Sequence, residues 1–267
     1  MLSSLSLAAL IFALGVGQQH AQQGNSHPTF DAFEVATIKP VEHDPKRGRY
    51  IKMQGNNRFV EKDYTLQLLI AAAYDLNPKT ISGGPDWVTG DHYDILALTP
   101  GETLPTHDEQ MAMLRTLLAE RFQLTFHREQ KTFAVYSLEV AGKGGKLKPT
   151  TAAATDPVTM GPGVVHPDRI VLPARNANMG AFTSILQRAI LDRPVVDHTH
   201  LGGRYDFDLE WAPDETQFGG EVPSAPETAP AAPLFTAVQQ QLGLKLVAGR
   251  GPIAALVIDR VEKPSVN

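Results

Sequence analysis

The stretch Val195-Val196-Asp197-His198-Thr199-His200 places two imidazoles two residues apart. On an extended strand, His198 and His200 share a face and Asp197 points away. Two imidazoles can hold a metal ion, but a catalytic zinc site needs a third protein ligand. Nothing nearby in the sequence supplies one, so the plainer reading is a polar turn that leads into the next strand. His43-Asp44, His92 with Asp94, and His127 lie scattered along the chain, and with Ser137 or Ser184 they could be assembled into a hydrolase triad. The chain has no Gly-x-Ser-x-Gly elbow, and Ser184 lies on a helical pattern. No catalytic residue and no cofactor is therefore assigned, and His198 and His200 stand as weak metal candidates.

Binding residues are sought in two other places. "ISGGPDWVTG" has Gly83 and Gly84, which permit positive φ, and Pro85, which fixes a turn. Asp86 and Trp87 follow, and Trp87 could be an aromatic platform for a sugar or peptide. The plainer reading has Trp87 capping the core beneath the turn. The other place is a Tyr-Asp pair written twice, in "GDHYDILAL" and in "LGGRYDFDLEW", with 112 residues from Tyr93 to Tyr205. Tyr93, Asp94, Arg204, Tyr205 and Asp206 join Asp86 and Trp87 as candidate binding residues. The plainer reading has each Asp holding a neighbouring turn amide. "AGKGGK" and "AGRG" are not phosphate loops, because no helix follows the first of them.

These residues need elements to position them. Four stretches carry helical apolar spacing. They are Leu66-Leu69-Ile70-Ala73-Tyr74, Leu114-Leu117-Leu118-Phe122, Phe182-Ile185-Leu186-Ala189-Ile190 and Leu234-Phe235-Val238-Leu242. Thr106 and Glu109 offer a capping box to the second, and Pro233 and Gly243 bracket the fourth. Two strand patterns follow each helix. They are "KTISG" and "HYDILAL"; "FQLTFHRE" and "TFAVYSLEV" with a turn at 129–131; "RPVVD" and "RYDFDLEW"; and "LKLVAGR" and "IAALVIDRV" with a turn at 249–252. "RFV" (58–60) and "RIV" (169–171) precede the first and third helices, and "FEVATIKPV" adds a strand to the first sheet.

The order predicts an α+β fold of two similar lobes. Each lobe is a β-αββ-αββ unit with helices packed on a mostly antiparallel sheet. The matching offsets are 116 from Leu66 to Phe182 and 120 from Leu124 to Leu244. The expected organisation is a signal peptide (1–22), a first lobe (29–147), a linker (148–167) and a second lobe (168–267) with a disordered-looking loop at 213–233.

Bulk properties exclude several classes. The net charge is -5, from 24 basic and 29 acidic residues, with no long Lys/Arg run, which argues against nucleic-acid partners. The absence of cysteine removes disulfides, thiolate metal sites and thiol nucleophiles. An apolar run from Leu5 to Val16, followed by small residues at Gly17 and Ala21, reads as a secretory signal, although no Lys or Arg precedes it. No later segment approaches the roughly 20 apolar residues of a membrane helix. The mature chain is expected to be exported, periplasmic or extracellular, without a membrane span.

"FEVATIKP", "GGPDWV" with "YDILA", "LRTLLAERFQLTFHRE", "VYSLEVAGKGGKLKP", "VVDHTHLGGRYDFDLEW" and "QQQLGLKLVAGRGPIAALVIDRVEKPSVN" occur here in a specific order. Together they resemble a large family of uncharacterised exported proteins, a domain of unknown function expanded in soil acidobacterial genomes. Some relatives carry the domain behind a membrane metallopeptidase of the antirepressor or β-lactam-sensor type. The resemblance implies an extracytoplasmic sensing or docking role and supplies no catalytic residues. Where relatives tend to show Thr-Gly-Leu, this chain has Thr199-His200-Leu201. The functional expectation is a non-enzymatic binding module for an unknown peptide, polymer or envelope protein. The alternatives are a secreted hydrolase acting on an envelope or plant-derived polymer, and a structural envelope protein.

Overall fold

A computed structural model describes residues 29–44, 47–142, 146–153, 156–160 and 164–265. The expected signal peptide lies outside the described residues. Strands β1 (Val35–Val41), β2 (Tyr50–Gln54) and β3 (Arg58–Thr65) lead into helix α1 (Leu66–Tyr74). Then come β4 (Ile81–Gly83), the single turn α2 (Trp87–Gly90), β5 (His92–Leu98), α3 (His107–Arg121) and the long β6 (Thr125–Val140). The short strands β7 (Lys148–Pro149), β8 (Thr159–Met160) and β9 (Val164–Val165) precede β10 (Ile170–Ala177) and α4 (Met179–Ile185). The chain closes with β11 (Val195–Asp197), β12 (Tyr205–Trp211), α5 (Leu234–Ala237) and the long β13 (Leu244–Arg260). The fold is α+β, and its sheets are mostly antiparallel. Among the described residues no helix is long and apolar enough to cross a membrane.

The helices begin where their caps dictate. Thr65 Oγ1 accepts the Leu68 amide at α1, and Asn178 Oδ1 accepts the Ala181 amide at α4. Thr106 and Glu109 form the expected capping box at α3. The caps Thr65 and Asn178 lie 113 residues apart, not the 116 that separates Leu66 from Phe182. The apolar stripe repeats every three to four residues, so it matches itself after a slip of one turn. Only the cap fixes the phase.

The first sheet has the order β1-β5-β3-β2, and the second is built on β7-β12-β10-β8 with β9 also on β10. The third, β11-β6-β13-β4, joins them. The turns expected at 129–131 and 249–252 do not exist. β6 and β13 each run straight through and pair antiparallel from Leu244↔Val140 to Arg260↔Thr125. Glu129-Gln130-Lys131 has no residue suited to a tight reversal, and Gly249 and Gly251 are absent from the positive-φ residues. Pro252 faces Thr132 on the part of β13 that pairs with β6 alone, an edge-like position where a missing N–H is tolerated.

Each short strand joins the long strand from the other half of the chain. β4 lies parallel to β13 (Ile81↔Leu256), and β11 lies parallel to β6 (Val195↔Tyr136). The core around Phe59, Leu69, Ile95 and Leu118 therefore takes Leu256 and Ile258 from the last strand. The core around Phe182, Leu209, Trp211 and Leu242 takes Leu138 from β6. Asn77, buried, ties the halves together by donating to the carbonyls of Gln187 and Leu191.

Residues 148–167, read as a linker, contribute β7, β8 and β9 to the second sheet. The stretch 213–233, read as disordered-looking, packs in part on the second core. Phe218 stacks on Trp211, and the buried Gln217 accepts Trp211 Nε1–H at 2.7 Å.

Candidate functional site

The site grows from a bulge in the first sheet. β3 and β5 pair in step from Arg58↔Leu98 to Glu61↔Ile95, then resume at Tyr64↔Tyr93. Lys62 and Asp63 thus oppose the single residue Asp94, a two-against-one bulge that turns side chains out of the regular alternation. Asp63 sits at φ +63°, a left-handed conformation that aspartate tolerates better than most residues. Asp94 Oδ1 accepts the Asp63 amide at 3.2 Å, and its Oδ2 accepts Lys62 Nζ at 2.5 Å. Glu61, fully buried, closes the bulge from the core side. Its Oε1 accepts the Tyr64 amide at 3.0 Å while Oε2 has no partner. Burial in the core pushes the Glu61 carboxyl well above the usual carboxylate range.

Two histidines converge on Asp63. His92 opens β5, opposite Val41 of β1 and Thr65 of β3. Its Nδ1 lies 2.8 Å from Asp63 Oδ1 and 3.2 Å from the Asp63 carbonyl oxygen. His43 follows β1 by two residues, with Nδ1 3.0 Å from Asp63 Oδ2. The two imidazoles stack with centroids 4.5 Å apart. Asp63 is 7% exposed, while His43 opens to solvent. The short approach of His92 to Oδ1 lacks the angles of a hydrogen bond, and Oδ1 has none. One potential ligand atom from each of His43, Asp63 and His92 lies within 4.8 Å of the others.

A matching bulge stands in the second sheet. β10 and β12 pair up to Ala174↔Phe207 and resume at Ala177↔Tyr205. Asn176, at φ +53°, takes the place of Asp63, and its amide donates to Asp206 Oδ1 at 2.8 Å. Arg204 stands where His92 stands in the first sheet, and its Nη1 donates to the Asn176 carbonyl at 3.1 Å. Asn176 Nδ2 is spent on the carbonyls of Ala153 and Asp156. The two corners share a backbone device and differ in their chemistry.

The sequence-derived binding residues divide among three places. Asp94 and Asp206 each anchor a bulge amide, which is the plainer of their two readings. Tyr93 is buried, edge-on to Phe122, and Tyr205 packs against the second core. Asp86 precedes α2 on the surface. Trp87 packs against the first core with Lys263 Nζ 5.6 Å from its ring centroid.

The scattered histidines are corrected by the fold: His43 and His92 meet. His198 and His200 are exposed. Their turn is organised by Asp197 Oδ1, which accepts both the amide and the hydroxyl of Thr199. Among the described residues, the three-residue ligand cluster does not include them. His127 pairs instead with Asp259 on the surface at 2.7 Å. Asp63 carries no sequence signal beyond its place two residues before the N-cap Thr65.

No curated protein and no solved structure matches the chain. A family model described as a protein of unknown function (DUF3738) matches residues 67–261, which include β5, β12 and both long strands. With most of its length matched, the chain belongs to the DUF3738 family of proteins of unknown function.

Proposed function

We propose that the chain is an exported, non-enzymatic binding module that engages a peptide, an envelope polymer or an envelope protein at the His43–Asp63–His92 corner. The observation that carries this reading is the inequality of the two bulges. Asn176 Nδ2 and Arg204 Nη1 donate to nearby backbone carbonyls. The first bulge instead gathers a carboxylate and two imidazoles beside solvent. A fold needs the bulge but not that choice of side chains. The apolar run Leu5 to Val16 supports export, and the sensing or docking role agrees with what the family resemblance implies.

The test is thermal stabilisation of the purified protein by muropeptides, xylan and cellulose oligosaccharides, and short peptides. Product analysis by mass spectrometry runs in parallel. The expected result is a concentration-dependent rise in Tm with at least one class of probe, lost in His43→Ala, with every probe recovered intact. Cleavage of a probe by the wild-type protein, abolished in His43→Ala, would replace this reading with the hydrolase.

A further inference from the structure

One buried carboxylate oxygen of the first corner lacks a hydrogen bond. Asp63 is more than nine-tenths buried, and its Oδ1 has no hydrogen bond although His92 Nδ1 stands 2.8 Å away. A buried carboxylate oxygen without a hydrogen bond is costly, and such a group is usually paired with a charge or bound to a metal. A cation placed among the three side chains would satisfy it.

The spacing suits a small ion. Ligands arranged tetrahedrally at about 2.0–2.1 Å from zinc stand about 3.3 Å from one another. The His92–Asp63 and His43–Asp63 approaches are 2.8 and 3.0 Å, and the three ligand atoms span no more than 4.8 Å. To hold the ion through Nδ1, each imidazole must give up the Nδ1 proton that it presents to Asp63 Oδ2 or to the Asp63 carbonyl oxygen. The backbone beneath is already fixed, since Asp94 holds the Asp63 amide and His92 is locked between β1 and β3. Two imidazoles and one carboxylate favour a first-row transition ion over magnesium or calcium, which take oxygen ligands. The second corner is an internal control. Asn176 Oδ1 is likewise buried without a hydrogen bond, so the difference lies in the donor set: Asn176 is uncharged, and Arg204 beside it has no lone pair to give.

We propose that His43, Asp63 and His92 bind a divalent first-row transition ion of the zinc type, with at least one coordination position open to an external ligand. The open position lies on the side of the exposed His43. This rests on the reading of the first corner as the working one, and it makes the ion the atom through which that corner holds its ligand.

The experiment uses untagged full-length protein, stripped with chelator and titrated with zinc chloride by calorimetry, with magnesium chloride as the comparison. One zinc per chain is expected, with no saturable heat from magnesium. His43→Ala and Asp63→Asn should each weaken zinc by more than about 100-fold, at or beyond the upper end of the loss typical of a second-shell change. Arg204→Ala should leave it unchanged. His43 is exposed, so its variant is expected to fold. Cobalt in place of zinc supplies a second readout through visible absorption bands of tetrahedral intensity, lost in the same variants. No saturable zinc binding, or binding unaltered in His43→Ala, overturns the proposal. Muropeptide or oligosaccharide stabilisation that persists undiminished in chelator overturns the ion's role and leaves the binding reading standing. Zinc binding without stabilisation by any probe does the reverse.

Discussion

The backbone amide of Asn176 donates to Asp206 Oδ1 at 2.8 Å across the β10–β12 bulge. Asp94 receives the amide of Asp63 in the same way in the first sheet, 112 residues earlier in the chain. A left-handed residue in a bulge points its N–H out of the ladder, where no strand carbonyl can accept it. A carboxylate on the opposing strand supplies the missing acceptor. The recurrence of Tyr-Asp in the sequence thus marks a fold requirement met twice. Chemistry enters through the neighbours of that aspartate, not through the aspartate.

Removal of this acceptor should cost more than removal of an ordinary surface charge. Asn176 is 2% exposed, and Asp206 Oδ2 also accepts the Thr150 hydroxyl at 3.0 Å. Asp206→Ala is expected to lower unfolding stability by about 1–3 kcal/mol, the cost of a buried donor left unpaired. Asp206→Asn keeps an acceptor and should recover most of it. Asp208, two residues on, makes an exposed pair with Arg175, and Asp208→Ala should cost less than about 1 kcal/mol. Urea denaturation of the three variants checks the order, and equal losses for Asp206→Ala and Asp208→Ala would contradict it.

Much of this architecture was legible in the sequence because local rules governed it. The apolar stripes gave four helices, the Thr106–Glu109 box set one start, and alternation gave β5 and β12. The failures had physical causes. Charged residues at 129–131 and glycines at 249–251 look like turns, but a strand needs no apolar face where it is exposed, and mid-β6 is exposed. His198 and His200 stand close in sequence but are exposed and apart from the cluster. The true cluster joins residues 43, 63 and 92 through the pairing of β1 with β5 and an irregular register between β3 and β5. No period in a sequence announces a bulge, so Asp63 could not be placed beside His92 before the strands were paired.

Close approach of β4 to β13 gives a second expectation. Gly83 has φ +86°, and a Cβ there would lie 2.7 Å from the Ile258 carbonyl oxygen. Both the conformation and the contact with a backbone atom exclude an L side chain. Gly83→Ala should destabilise the protein by more than about 2 kcal/mol, combining backbone strain with displacement of a strand. Gly249, on the same long β13, would present its Cβ to open space with nothing within 4 Å. Gly249→Ala should be neutral or slightly stabilising, since alanine loses less backbone entropy on folding. Thermal melts of the two variants give the comparison, and a tolerated Gly83→Ala would mean that β4 does not lie on β13 as described.

Glu61 makes stability depend on pH in a stated direction. Its folded-state pKa stands well above the value of 4.5 expected in the unfolded chain, because burial disfavours the carboxylate. As pH rises above 4.5, the unfolded chain releases this proton first, and the folded state loses stability until its own pKa is passed. The slope for one proton is about 1.4 kcal/mol per pH unit. Glu61→Gln cannot titrate. Measured in chelator, the Tm of Glu61→Gln relative to wild type should therefore rise from pH 4 to pH 7, whatever its offset at the acid end. A difference constant across that range would show that Glu61 keeps an ordinary pKa.

The exchange of strands between the halves predicts how they unfold. β13 supplies Leu244 to the core that holds Trp211, and Leu256 to the core that holds Leu69 and Leu118. A single strand cannot leave one core and remain ordered in the other without breaking its ladder with β6. Leu256→Ala opens a cavity at a fully buried site and should cost about 2–5 kcal/mol. The loss should be felt in both cores at once. Trp211 is fully buried in the second core, and the chain has only one other tryptophan, Trp87. In a Trp87→Phe background, fluorescence therefore reports on the second core alone, while the cavity lies in the first. Leu256→Ala is expected to lower the urea midpoint read by Trp211 as much as the midpoint read by far-ultraviolet circular dichroism, in one coincident transition. If the Trp211 midpoint stays at its wild-type value while the circular dichroism splits into two steps, each half folds on its own and the long strands do not couple them.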